Sequence, residues 1–164
     1  MLLRGVVFSG SLRGAPLIEK YSARLIGIIG FRPYPGTLDI ELDKPLELAA
    51  YATKRIEHVR PWGAGTQIDA HLAPATIRKK ATSYKVMEMR DKEKEIVDNL
   101  NKISSNEIAE GYPCWAVQFT GELLDTHVIE ILAKDELRKT LDLKDEDGVE
   151  IVITEQKVTN KKQR

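Results

Sequence analysis

Three places in this chain carry residue types whose spacing could do chemistry. In "FRPYPGTLDIEL", residues 31–42, the hydroxyl of Thr37 and the carboxylate of Asp39 stand two residues apart behind a Pro35-Gly36 turn. On an extended segment both project from one face, where two oxygens can converge on one hard cation. Mg²⁺ characteristically takes one or two such protein ligands beside water and phosphate oxygens. In "SGSLRGAP", residues 9–16, a polar, glycine-containing loop follows an apolar segment and precedes a helical one. Such a loop can aim backbone N–H groups and a helix N-terminus at an anion, with Arg13 as a bidentate phosphate clamp, although it lacks the spacing of a Walker loop. The third is Glu130, flanked by Val128, Ile129, Ile131 and Leu132. A carboxylate in such a run is paired, turned to a solvated face, or aimed at a ligand. Spacing alone favours the plainer readings: a turn, an exposed strand edge and a solvated face.

The remaining reactive types form no comparable constellation. His58, His71 and His127 have neither i,i+4 nor cysteine-partnered spacing and read as structural or surface residues. Trp62 with Gly63 and Gly65, in "RPWGAGT", reads as a loop anchored by its aromatic ring, and no serine, histidine and acid fall in a defensible order. Cys114 is the only cysteine, so an internal disulfide and a thiolate metal cluster within one chain are both excluded. Placed on a strand, it reads as packed and inert.

The elements that must position the candidates are legible in the apolar rhythm. "LLRGVVFS", residues 2–9, is rich in strand formers and ends at Gly10. From Leu17 the residues Leu17, Tyr21, Leu25 and Ile28 recur at helical spacing behind Pro16, and Gly30 stops that helix. "TLDIEL" alternates, with Leu38, Ile40 and Leu42 on a core face and Thr37, Asp39 and Glu41 on a polar one. "IDAHLAPATI", residues 68–77, is a weaker strand. Residues 78–112 are charged and rich in helix formers, with Val86, Met89, Ile96, Leu100 and Ile103 on a sparse stripe, and read as a mainly helical insertion. "CWAVQF" places Trp115, Val117 and Phe119 on one strand face, "HVIEIL" is a buried-type strand, "DELRKTL" a short helix and "VEIVIT" the last strand. Many short strands without a βαβ rhythm imply a mainly β fold closed into a barrel.

Composition bounds the class. The 164 residues suit one domain, taken as 1–155 with a polar tail over 156–164. Apolar residues are 42% and charged residues 30%, as in ordinary globular proteins. Basic and acidic residues number 25 each, so no global positive field draws nucleic acid to the chain. The short apolar run at the N-terminus does not fit a signal peptide, and no stretch reaches the roughly 18 apolar residues of a spanning helix. A soluble cytoplasmic monomer without membrane or nucleic-acid partners is the expectation.

Taken together, "GVVFSG", "GFRPYPGTLDIEL" and "VIEILAKDELRKTLDLKDEDGVEIVI" resemble the archaeal CTP-dependent riboflavin kinases. The match covers residues 4–50 and 114–153, more loosely 51–77, and gives 78–112 no counterpart. The resemblance implies a compact six-stranded cradle-loop barrel. It also implies transfer of the γ-phosphoryl group of CTP to the 5′-hydroxyl of riboflavin, giving FMN and CDP, with Mg²⁺. On that likeness the nucleotide loop falls on Gly10, Ser11, Leu12, Arg13, Gly14 and Ala15, and a second nucleotide contact on Asp135, Glu136, Leu137 and Arg138. The metal motif, P-x-G-T-L-N in the family, falls on Thr37 and Asp39, and the flavin-contacting glutamate on Glu130.

Three departures accompany the likeness. Ser11 and Leu12 interrupt the family's alternating glycines, Asp39 replaces an asparagine, and the flavin-contacting threonine matches either Thr120 or Thr126. No catalytic base is assigned. Two rival readings follow: a barrel that binds flavin or nucleotide without kinase activity, and a DNA-binding regulator, against which the neutral net charge argues.

Overall fold

The computed structural model describes residues 1–10, 14–60, 68–80, 111–121 and 124–154. Among these residues seven strands form one antiparallel sheet: β1 (Leu2–Phe8), β2 (Leu38–Leu42), β3 (Lys54–Val59), β4 (Ile68–Lys79), β5 (Tyr112–Phe119), β6 (Val128–Leu132) and β7 (Gly148–Ile153). Their order is β3-β4-β5-β6-β2-β1-β7, and a further β4–β7 pairing closes six of them into a barrel. Closure removes the free edges that a flat six-stranded sheet would expose.

The closing strand is β4, which is long enough to serve two neighbours on one edge. Its first half pairs with β3, from Lys54↔Leu72 to Val59↔Ile68, and its second half with β7, from Ala75↔Ile153 to Lys79↔Val149. Pro74 stands where that edge passes from one partner to the other. Leu72 O accepts from Thr53 N–H on the β3 side and Pro74 O from Thr154 N–H on the β7 side. The N–H that proline lacks is therefore not missed by either ladder.

The alternation in "LDIEL" is realised: Leu38, Ile40 and Leu42 are buried inside the barrel with Val7, Ile129, Ile131, Val149 and Ile151. A second apolar cluster lies outside the barrel wall, beneath α1 (Gly14–Lys20) and α2 (Ser22–Ile29). Ile18, Leu25 and Ile29 from the helices meet Ile56, Ile68, Leu72, Val117 and Leu132 from the sheet there. The single helix expected from Leu17 thus starts earlier, at Gly14, and is interrupted at Tyr21. Tyr21 accepts a bond from Arg60 N–H on its phenol oxygen at 2.8 Å and leaves helical geometry with φ −104° and ψ 13°. Gly30 ends α2 at φ 83°, its N–H bonded to Ile26 O.

Three expectations are corrected. Strand β3 has no counterpart in the sequence reading, because a bulge between Ile56 and Val59 breaks its alternation and leaves only those two residues buried. "CWAVQF" is buried on both faces: Cys114, Ala116 and Gln118 point away from the Trp115, Val117 and Phe119 side. The helical reading of 78–112 fails at its ends, where Arg78 and Lys79 continue β4 and Tyr112 begins β5. Residues 81–110, and the tail from 155, lie outside the described residues. Among the described residues, no helix is long and apolar enough to cross a membrane.

Candidate functional site

Outside the barrel wall, between the end of β1, the turn before β2 and the segment after β6, the chain leaves a cleft of ≈ 350 Å³. Phe8, Ser9 and Gly10 line one wall, and Ala133, Asp135, Glu136, Leu137 and Arg138 another. Tyr34, Pro35, Gly36, Thr37 and Asp39 form the floor with Glu130, and Gly14, Ala15 and Leu17 close the side toward α1. A smaller apolar slot of ≈ 40 Å³ adjoins it beneath α1 and α2, bounded by Tyr21, Leu25, Ile56, Val59 and Leu72. Gly14, Leu17, Thr37, Phe119 and Glu130 border both spaces.

Strand pairing brings the acids together. Asp39 on β2 and Glu130 on β6 are direct cross-strand partners, so both carboxylates stand on the outer barrel face. Like charges placed opposite each other on a sheet destabilise it unless something neutralises them. The Thr37 hydroxyl donates to Asp39 Oδ1 at 3.2 Å. Burial raises the Asp39 carboxyl above its usual range, opposed by the Thr37 hydroxyl, the Arg138 charge and the Gly10 backbone. Glu130 is pushed up to about 7, first by burial and then by the Asp39 carboxylate, with the Thr37 hydroxyl acting the other way.

Gly10 and Gly14 are set by Asp39 and Thr37. A Cβ at Gly10 would lie 1.7 Å from Asp39 Oδ2, and one at Gly14 would lie 2.6 Å from Thr37 Oγ1. No larger residue fits either position without displacing Asp39 or Thr37. Gly10 therefore lies against the Asp39 side chain and Gly14 against that of Thr37, which the spacing of the glycines alone did not reveal.

The other wall carries one arginine beside two carboxylates. Arg138, in α3 (Leu137–Thr140), donates from Nη2 to Phe8 O at 3.2 Å and to Asp145 Oδ1 at 2.8 Å. Ser9 Oγ donates to Asp145 Oδ2 at 2.7 Å. Asp135 accepts a short bond from the Tyr112 hydroxyl, and Glu136 pairs with Lys139 at 2.6 Å.

The cleft thus gathers Gly10, Gly14, Ala15, Thr37, Asp39, Glu130, Asp135, Glu136, Leu137 and Arg138. Ser11, Leu12 and Arg13 lie outside the described residues. Neither threonine considered for the flavin is on the lining: Thr120 bonds through Oγ1 to the Asp69 backbone, and Thr126 O accepts from Leu46 N–H. Tyr34, Phe8, Ser9, Ala133 and Phe119 also line the cleft; the sequence reading had them inside its quoted blocks but gave none of them a site role of its own. Their only signal was their place inside those blocks.

Comparison with protein families settles the relationship. The CTP-dependent riboflavin kinase model, whose description reads "Domain of unknown function DUF120", matches residues 7–104 and 67–153. The chain belongs to this family. The two matches overlap over residues 67–104, and together they run from the end of β1 to the last residue of β7. Comparison with curated proteins finds no match. For a family named for phosphoryl transfer, the relevant geometry is a cleft with an arginine on one wall, an oxygen-rich floor and an apolar annex.

The oxygen donors of that floor suit a hard divalent cation. Thr37 offers a hydroxyl, and Asp39 and Glu130 offer carboxylates whose ionised forms lack full compensation from the protein. Among the described residues no three His, Cys, Asp or Glu side chains converge on one point. A cation seated here takes its remaining ligands from water or phosphate, which is the habit of Mg²⁺.

Proposed function

We propose that this protein is a CTP-dependent riboflavin kinase that transfers the γ-phosphoryl group of CTP to the 5′-hydroxyl of riboflavin, giving FMN and CDP with Mg²⁺. The observation that carries the reading is the junction at Glu130, Thr37 and Gly14, where a polar cleft and an apolar slot share one border in a chain of this family. A flavin has an apolar ring system and a polar ribityl chain, and a nucleotide brings a polyanion. The junction offers each part the environment its chemistry favours.

In this reading the triphosphate enters the larger cleft between the Gly10 backbone and Arg138. Arginine suits this task because its guanidinium is permanently charged and presents several fixed donors to phosphate oxygens. Thr37 and Asp39 hold the cation, which when bound neutralises charge on the phosphates. The flavin ring enters at the border of the two spaces beside Leu17, Phe119 and Glu130, the ≈ 40 Å³ slot being too small to take the whole ring, and its 5′-hydroxyl reaches the junction. Glu130 accepts a hydrogen bond from the flavin. Phosphoryl transfer asks the protein chiefly for alignment and charge neutralisation, so this short set of groups is sufficient. In the balanced step the ribityl oxygen bonds to the γ-phosphorus, the bond to the β-phosphate oxygen breaks, and the hydroxyl proton leaves to solvent or an adjacent base.

Riboflavin incubated in turn with CTP, ATP, GTP and UTP, with and without Mg²⁺, tests the reading by chromatography. FMN and CDP in equal amounts with CTP and Mg²⁺ are expected. Riboflavin binding with no FMN from any nucleotide would mark a flavin-binding barrel without kinase activity.

A further inference from the structure

We infer that Asp145 is a positioning residue that fixes the phosphate-facing groups of the cleft while standing outside it; this rests on the kinase reading above. Its two carboxylate oxygens are divided between opposite walls. Oδ2 accepts from Ser9 Oγ at 2.7 Å, at the end of β1, and Oδ1 accepts from Arg138 Nη2 at 2.8 Å, on α3. The same Arg138 nitrogen reaches Phe8 O at 3.2 Å. Ser9, Phe8 and Arg138 all line the cleft, whereas Asp145 does not.

The backbone around Asp145 is held in a conformation that its sequence does not favour. Asp142 and Glu146 adopt φ of 50° and 71°, although neither is glycine. Left-handed backbone at such residues persists only where the surroundings over-determine it. Here Glu146 N–H donates to Val7 O at 2.8 Å, Val7 N–H donates to Asp147 O at 2.9 Å, and Leu143 N–H donates to Arg138 O at 2.8 Å. Asp147 Oδ2 in turn accepts from Lys144 N–H and from Lys79 Nζ, each at 3.0 Å. The turn is thus tied to both β1 and α3, and Asp145 is its point of contact with their side chains.

The consequence is preorganisation. An arginine side chain has several rotatable bonds, and ordering them on binding reduces affinity for the anion it meets. Asp145 and Phe8 O hold one edge of the guanidinium through Nη2, leaving its other donors for phosphate oxygens. Ser9 is fixed by the same carboxylate, so the end of β1 and Arg138 are tied to one group.

Asp145→Ala and Asp145→Asn in the full chain test this, with kcat and the KM values for CTP and riboflavin read separately. Calorimetric titration with magnesium pyrophosphate adds a readout that needs no turnover. Asp145→Ala is expected to raise the CTP KM by about tenfold and weaken pyrophosphate comparably, as the loss of a preorganised charged contact does. The riboflavin KM should stay within about twofold. Asp145→Asn can accept from Arg138 through its carbonyl and donate to Ser9 through its amide, and should restore most of the loss. Unchanged or tighter CTP and pyrophosphate binding in Asp145→Ala overturns the inference, as does a parallel rise of both KM values. If the wild type makes no FMN yet Asp145→Ala still weakens pyrophosphate, the kinase reading fails and the role of Asp145 stands.

Discussion

Gln118 and Glu130 are polar residues on neighbouring strands of one barrel, yet their surroundings are opposites. Gln118 is 6% exposed, and its side chain is fully engaged. Its Oε1 accepts from Leu48 N–H at 2.8 Å, and its Nε2 donates to Leu46 O, Asp125 O and Val128 O at 3.0–3.2 Å. Glu130, one strand away and paired with Val117, meets a second carboxylate and one shared hydroxyl. The first arrangement closes a polar account inside the fold. The second leaves charge without compensation at the border of two cavities, which is where a ligand can supply it. Burial of a polar group therefore says little about its role until its partners are counted.

The comparison breaks most visibly at Gly10, because that residue touches only the Glu130 end. Gly10→Ala would press a methyl group onto Asp39 Oδ2, 1.7 Å away. Turnover should fall by about 100-fold or more, as misplacement of a reacting group by an ångström does, with the melting temperature little changed. A variant that melts early and loses activity only in proportion would place Gly10 with the structural residues. Gln118→Ala acts in the opposite sense. It strands up to four backbone groups, and equilibrium unfolding should show a loss of about 3–5 kcal/mol. The kcat of the folded fraction should stay within a few-fold of wild type.

Glu130→Gln should stabilise the metal-free protein at alkaline pH. The Glu130 carboxyl titrates at about 7 in the fold against 4.5 as its reference value. A folded-state pKa raised in this way favours the fold below pH 4.5, and that advantage is lost as pH rises through 7. The full difference corresponds to about 3 kcal/mol. Urea titrations at pH 8 should therefore find the variant more stable, with the gap closing on acidification, and added Mg²⁺ should narrow it. A wild type no less stable than the variant at pH 8 would mean that Glu130 is compensated like Gln118.

The smallest effect belongs to Cys114, whose thiol burial pushes up to about 12. It should resist thiol reagents until the protein unfolds, and Cys114→Ala should cost about 1 kcal/mol without altering turnover.

The legibility of this molecule follows the same division. Alternation made Leu38, Ile40 and Leu42 readable as core, since strands with one buried face carry period-two patterns. It failed for β5, where α1 and α2 cover the outer face and Gln118 sits in a position that reads as solvated. It failed for β3, whose bulge shifts the register between Ile56 and Val59. For the helix the stripe was correct but the interruption invisible, because Tyr21 is itself an apolar position in phase. At the site, Thr37 and Asp39 were readable as one face from their spacing. Their meeting with Glu130 depends on the β2–β6 register, which lies between residues about ninety positions apart in the chain. Spacing had favoured a solvated face for Glu130, and family likeness pointed instead to a ligand. Asp145 belonged to a quoted block but carried no local signal, since its partners come from β1 and α3.

The central claim is that the Thr37, Asp39 and Glu130 junction serves transfer of phosphate to a flavin. It is tested most directly by measuring FMN formation from riboflavin and magnesium CTP with the wild type and the Thr37→Ala, Asp39→Ala double variant. Quenching of riboflavin fluorescence followed in parallel reports binding. The account predicts FMN and CDP from the wild type, and no detectable FMN from a double variant that still binds riboflavin. No FMN from the wild type, or FMN at the wild-type rate from the double variant, would contradict it.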